Sequence, residues 1–107
     1  MAPDITVVDL KRMRDEGSDV LVLDVREDDE VATARLDDTL HIPMAAVPAR
    51  VTELLPKDRA IVVMCHGGMR SERVATFLRE NGFENVANLT GGIDAWSRQI
   101  DASVPLY

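Results

Sequence analysis

Cysteine is nearly absent: the 107-residue chain has one, Cys65. A single thiol excludes an internal disulfide, agrees with a reducing compartment and leaves the residue available as a nucleophile. Histidine is scarce too, and His41 and His66 show no metal-ligand spacing with Cys65, so neither a metal nor a cofactor is expected. No apolar segment approaches the roughly 20 residues needed to cross a bilayer. The N-terminus has neither the basic start nor the apolar stretch of a secretory signal, and a cytoplasmic location is the expectation. Basic excess is also missing, since 19 Asp and Glu face 12 Lys and Arg for a formal net charge of -7. That balance disfavours nucleic acid and anionic membranes as partners, so any affinity for an anion has to be local. Repeats, low-complexity tracts and linkers are lacking. Residues 1–107 are expected to form one domain, large enough for an apolar core without disulfide or metal staples.

What is present alternates between strand and helix signals. Ile5 opens a short strand, and Thr6 and Asp9 stand in the capping-box relation ahead of a sparse helical stripe, Leu10 and Met13, closed by Gly17. Val20-Leu21-Val22-Leu23 and Ile61-Val62-Val63-Met64 are apolar on successive residues, which suits strands of a parallel sheet covered on both faces. Glu30 to Leu36 reads as a short helix with Val31, Ala34 and Leu36 inward, ended by Asp37-Asp38, and Leu40-His41-Ile42 as an extended segment closed by Pro43. Val47, Val51, Leu54 and Leu55 recur at helical spacing, with Pro48 in the first turn and Pro56 as the stop. From Arg70 the spacing is helical again, with Val74, Phe77 and Leu78 on one face, Gly82 as cap and Phe83 packing back. Val86 to Leu89 is a further strand, Thr90-Gly91-Gly92 a turn, and Ile93 to Trp96 the start of a last short helix; residues 101–107 have no readable period. The pattern predicts an α/β domain: a mainly parallel central sheet with short helices on both faces.

Cys65-His66-Gly67-Gly68-Met69-Arg70-Ser71 joins the second apolar run to a helical segment. A free thiol, with a pKa of about 8.5, is only a few per cent thiolate at neutral pH, and the thiolate is the reactive form. Three features of this stretch can favour it. The following helix begins with a partial positive charge, the glycines allow successive N–H groups to turn inward as an anion nest, and Arg70 adds a permanent cation whose fork can hold an anionic substrate. A lone cysteine can also be a small buried hydrophobe at a strand end. Glycines and an arginine on the same loop favour the reactive reading.

Taken in order, Leu21-Val22-Leu23-Asp24-Val25-Arg26-Glu27, His41-Ile42-Pro43, Cys65 to Ser71, and Val86-Ala87-Asn88-Leu89-Thr90-Gly91-Gly92-Ile93-Asp94-Ala95-Trp96 resemble the rhodanese domains, which are sulfurtransferases. The resemblance covers nearly the whole chain and implies the rhodanese-like fold with Cys65 as the sulfur carrier. It further implies that Cys65 takes a sulfane sulfur from a small anionic donor such as thiosulfate and passes it to cyanide, a thiol or a protein cysteine. The N–H groups of residues 66 to 70, among them His66, Gly67, Gly68 and Met69, would cradle the terminal sulfur, and Arg70 would attract the donor. The family's Gly-His-Ile segment is replaced by Ala34-Arg35-Leu36, which brings Arg35 into consideration near the pocket.

Four residues separate Cys65 from Arg70, one fewer than in phosphatases that use the same pair on a related fold, and the tighter ring suits one sulfur atom rather than a phosphoryl group. Phosphatase or arsenate-reductase chemistry is the minor alternative. A sulfur-relay or protein-binding module, with thiosulfate a poor surrogate donor, is the main one. His66 is expected to face solvent and add weak anion attraction, and Met69 to shape the rim. Ser71 is expected to cap the helix, with a hydrogen bond to sulfur as the second option. Asp24 and Arg26 are expected to brace neighbouring loops as an ion pair.

Overall fold

A computed structural model describes residues 3–54 and 56–107. Five strands, β1 (Asp4–Ile5), β2 (Val20–Asp24), β3 (Thr39–His41), β4 (Ala60–Met64) and β5 (Val86–Leu89), form one sheet in the order β1-β5-β4-β2-β3, and every pairing is parallel. The two apolar runs lie side by side at its centre, with Leu21 opposite Ile61 and Leu23 opposite Val63. Side chains alternate across a strand, so an unbroken run feeds two cores. Leu23, Ile61, Val63 and Val86 face α3 (Val47–Leu54) and α4 (Met69–Glu80). Val22, Val62, Met64 and Leu89 face α1 (Val7–Asp15) and α5 (Gly92–Gln99). Among the described residues no helix is long and apolar enough to cross a membrane.

Several boundaries follow from local chemistry. Thr6 Oγ accepts from Asp9 N–H and Asp9 Oδ2 accepts from Thr6 N–H, both at 3.1 Å, the reciprocal cap expected for α1. Gly17 and Gly82 take φ values of +75° and +91° after α1 and α4, where only glycine sits without strain. Phe83 N–H then reaches back to the Leu78 carbonyl at 3.0 Å, and its ring is buried. The side chain of Leu54 and all of Leu55, which complete the stripe expected for α3, lie outside the described residues.

The segment expected to be helical over Glu30 to Leu36 differs. Its helix, α2, is Asp28–Thr33, and Ala34 is extended at φ -155°. Three acidic residues, Asp28, Asp29 and Glu30, fill the first turn, where the helix dipole favours them. Ala34 and Leu36 are buried around an exposed Arg35, which is the two-residue period of extended chain rather than a helical face. The last helix, expected to start over Ile93 to Trp96, is Gly92–Gln99. Residues beyond it, without a period in sequence, fold back: Val104 enters the α1/α5 core and Tyr107 reaches the C-terminal edge of the sheet. Because all pairings are parallel, that edge collects Asp24, His41, Cys65 and the β5–α5 turn, where open α/β sheets place their ligands.

Candidate active site

Cys65 follows the last residue of β4 and is 1% exposed. Its Sγ accepts from Gly68 N–H at 3.1 Å and from Ser71 Oγ at 3.3 Å. Burial pushes the Cys65 thiol up, but the Ser71 hydroxyl and the N–H groups of Ser71, Gly68 and Arg70 favour the thiolate, and the net pKa lies below the ordinary value. The donors aimed at sulfur are therefore the start of α4, residues 68, 70 and 71. Two of these, Gly68 and Arg70, fall within the cradle expected of residues 66 to 70, and Gly68 is the N-cap, in the left-handed region at φ +114°. Gly67 is exposed, and a Cβ there would meet nothing within 4 Å. Ser71 stands inside the first turn as a buried sulfur donor and not as the cap, which corrects the primary expectation for it.

The β5–α5 turn fixes the loop from behind. Ile93 N–H donates to the Cys65 carbonyl at 3.0 Å and Asp94 N–H to the His66 carbonyl at 3.1 Å. With both carbonyls tied to the first turn of α5, the loop is free to direct N–H groups at sulfur. Gly92 is the point of closest approach: its φ is +58°, and a Cβ would collide with the Cys65 and His66 carbonyls. Of the two glycines that follow Thr90, Gly92 thus serves the Cys65 loop, a role the turn composition alone did not reveal.

The Arg70 backbone N–H is among the groups that favour the Cys65 thiolate, while its guanidinium is already engaged. Nη1 donates to Glu30 Oε1 at 2.6 Å and Nη2 to Glu30 Oε2 at 2.9 Å, a bidentate pair with side chains 30% and 18% exposed. Glu30 Oε1 also accepts from Glu27 N–H at 3.1 Å and Oε2 from the Tyr107 hydroxyl at 2.9 Å. Hydrogen bonding from Arg70, with help from Glu27 and Tyr107, outweighs burial and holds the Glu30 carboxyl down to about 2. The same pairing raises the pKa of Arg70.

Asp24 and Arg26 form the ion pair expected of them, both fully buried, with Arg26 Nη2 2.7 Å from Asp24 Oδ2 and Nε 2.9 Å from Oδ1. Arg26 Nη1 donates to the Tyr107 hydroxyl at 2.9 Å, linking this pair to Glu30 and Arg70. His41 bonds the Arg26 carbonyl at 2.6 Å through Nε2. His66 is half-buried and stacked on Tyr107, centroids 4.3 Å apart, instead of facing solvent freely. Met69 is 76% exposed on the rim. Arg35 lies elsewhere, beside surface depressions lined with Arg14 and Trp96 or with Val31 and His41, neither of which contains a residue of the Cys65 loop. Among the described residues no cluster of His, Cys, Asp or Glu suited to a metal is found.

Three contributors escaped the sequence reading: Glu30, Asn88 and Tyr107. Asn88 is buried on β5 with its side-chain amide in hydrogen-bond contact with Ser71 Oγ, whose single proton is shared between this contact and the Cys65 sulfur. A polar residue two places after core-facing Val86 was its one available signal.

Residues 6–99 match the rhodanese-like domain. The chain belongs to that family. A sulfurtransferase of Allochromatium vinosum is 38% identical over 98 residues, covering 92% of this chain and 91% of that protein. The putative sulfurtransferase YtwF of Bacillus subtilis is 39% identical over 93 residues, with coverages of 87% and 88%. A rhodanese-like domain protein of Staphylococcus aureus superposes with a TM-score of 0.84 at 30% identity over 98% of both chains. The candidate site of this rhodanese-like domain has Ser71 and Asn88 beneath the Cys65 sulfur and Glu30 and Tyr107 around the Arg70 guanidinium.

Two outcomes follow from this geometry. Ser71→Ala removes a donor to the thiolate and should slow Cys65 alkylation by iodoacetamide at neutral pH by about tenfold, the scale of one charge-assisted hydrogen bond, with the midpoint of the pH–rate profile moved upward. The Glu30 contribution to stability is fully present above the ordinary carboxyl value of 4.5 and is lost as pH falls towards about 2. Urea melts should therefore show wild type more stable than Glu30→Gln at neutral pH, with the difference closing through that acid window.

Proposed function

We propose that this rhodanese-like domain moves sulfane sulfur through a persulfide on Cys65. The observation that carries the reading is the Cys65 sulfur, buried yet accepting from Gly68 N–H and the Ser71 hydroxyl, with further N–H donors at the start of α4. These groups stabilise negative charge on sulfur whether it is a thiolate or a persulfide anion. With thiosulfate as donor, the Cys65 thiolate attacks the outer sulfur, the S–S bond of the donor breaks, sulfite leaves and a Cys65 persulfide anion remains. In the second half-reaction cyanide, a thiol or a protein cysteine attacks the terminal sulfur and the Cys65 thiolate returns. The curated relatives named as sulfurtransferases support transfer chemistry, and the cytoplasm is the compartment proposed for it.

A relay to a partner protein is the second reading. It is favoured by Met69, 76% exposed on the first turn of α4 beside the sulfur loop, where a protein acceptor could make contact.

Intact mass after incubation with sulfane donors tests the reaction. Wild type should gain one sulfur and Cys65→Ser none; no gain with any sulfane donor would leave a binding module. Arg70→Ala removes the cation and leaves Glu30 unpaired near the site, so KM for thiosulfate should rise by about tenfold or more. An unchanged KM and kcat in steady-state assays would remove Arg70 from donor binding.

A further inference from the structure

The fold places two guanidiniums beside the sulfur loop and a carboxylate on each of them: Asp24 on Arg26 and Glu30 on Arg70. The Glu30 carboxylate is the better defended of the two at the rim. It holds both Nη groups of Arg70, receives Glu27 N–H on one oxygen and the Tyr107 hydroxyl on the other, and so accepts four hydrogen bonds. Tyr107 is itself fixed twice, by Arg26 Nη1 at its hydroxyl and by the stacked His66 ring.

We propose that Glu30, braced by Tyr107, is a specificity-determining residue that screens Arg70 from small dianionic donors and turns the site towards sulfur carried on a thiol, as a hydropersulfide. This inference rests on the sulfur-transfer reading above. A dianion such as thiosulfate gains less from a cation shared with Glu30 than from a free one, and to displace Glu30 it must leave a largely buried carboxylate short of partners. The chain's net charge of -7 adds a general repulsion. A hydropersulfide needs no oxyanion clamp. The Cys65 thiolate attacks the outer sulfur of R–S–SH, the donor S–S bond breaks, its electron pair leaves with the thiolate R–S⁻, and Cys65–S–SH is formed; the proton stays on the transferred sulfur and no external oxidant or reductant is required. The leaving group carries one negative charge where sulfite carries two, so the absence of a free guanidinium matters less.

Glu30→Gln keeps the side chain's shape and removes its charge. Two measurements on this variant separate the inference from the reading beneath it. The first needs no sulfur transfer: the rates of Cys65 alkylation by iodoacetate, an anion, and by iodoacetamide, its neutral counterpart, whose ratio cancels changes in thiol reactivity. The ratio should rise about tenfold in Glu30→Gln and fall back when Arg70→Ala is added, the scale expected when one close charge is exposed. The second is the ratio of kcat/KM for thiosulfate to that for glutathione hydropersulfide, which should rise by a similar factor through the thiosulfate KM. An alkylation ratio within about twofold of wild type would overturn the screening role, given that charge exposure predicts a larger effect. If Glu30→Gln does not unfold cooperatively in urea, Tyr107→Phe serves in its place, with a smaller rise of about threefold for the loss of one hydrogen bond; a flat result there overturns the inference equally. A raised alkylation ratio with no persulfide from either donor would overturn sulfur transfer and leave the screening by Glu30 standing.

Discussion

The sulfur site depends on where two carbonyl groups point. A peptide that turns an N–H towards an anion must dispose of its carbonyls on the other side, and in this chain the Cys65 and His66 carbonyls are taken by Ile93 and Asp94 at the first turn of α5. That contact requires backbone against backbone, which only Gly92 permits. From it follow the direction of the loop, the entry into α4 at Gly68, and the set of donors that converge on Cys65. The last helix is therefore as much a part of the site as the helix that follows the cysteine.

Around that nest the charges are balanced rather than accumulated. Asp24 answers Arg26 and Glu30 answers Arg70, with Tyr107 joining the two pairs. Buried guanidiniums without partners would be costly, and paired ones give position more than attraction. Stabilisation of negative sulfur thus comes mainly from dipoles close to the atom, foremost the Gly68 N–H and the Ser71 hydroxyl. Such donors are preorganised and act over short range, which suits a charge confined to one or two sulfur atoms.

Local features were legible in the sequence because local physics fixes them. The fully apolar Ile61 to Met64 run read as a central strand covered on both faces and is one, Thr6 and Asp9 formed their reciprocal cap, and Gly82 with Phe83 closed α4. The cysteine loop was legible for the same reason, as a thiol, two glycines and an arginine within one short stretch. What escaped was contact at long sequence separation. Glu30 lies 40 residues from Arg70, and Tyr107 lies 77 from Glu30. No periodicity records such pairings. The misplaced α2 has a different cause: Val31 and Ala34 stand three apart, as on a helical face, while Ala34 and Leu36 stand two apart, the period of extended chain, and extended chain is what carries those two into the core.

Cys65 also belongs to a core, the one it shares with Leu23, Val63, Val74 and Leu78. Its side chain therefore inherits its direction from the alternation of β4, two residues on from Val63, and that strand is locked in register with β2 on one side and β5 on the other. Inserting or deleting a single residue within β4 would swing the thiol through the sheet to the side of Trp96 and Ile93, with Ser71 and Asn88 left behind on the original face. The Cys65 thiol is in this sense addressed by counting: the parity of a strand buried in the middle of the protein decides which helix the sulfur meets.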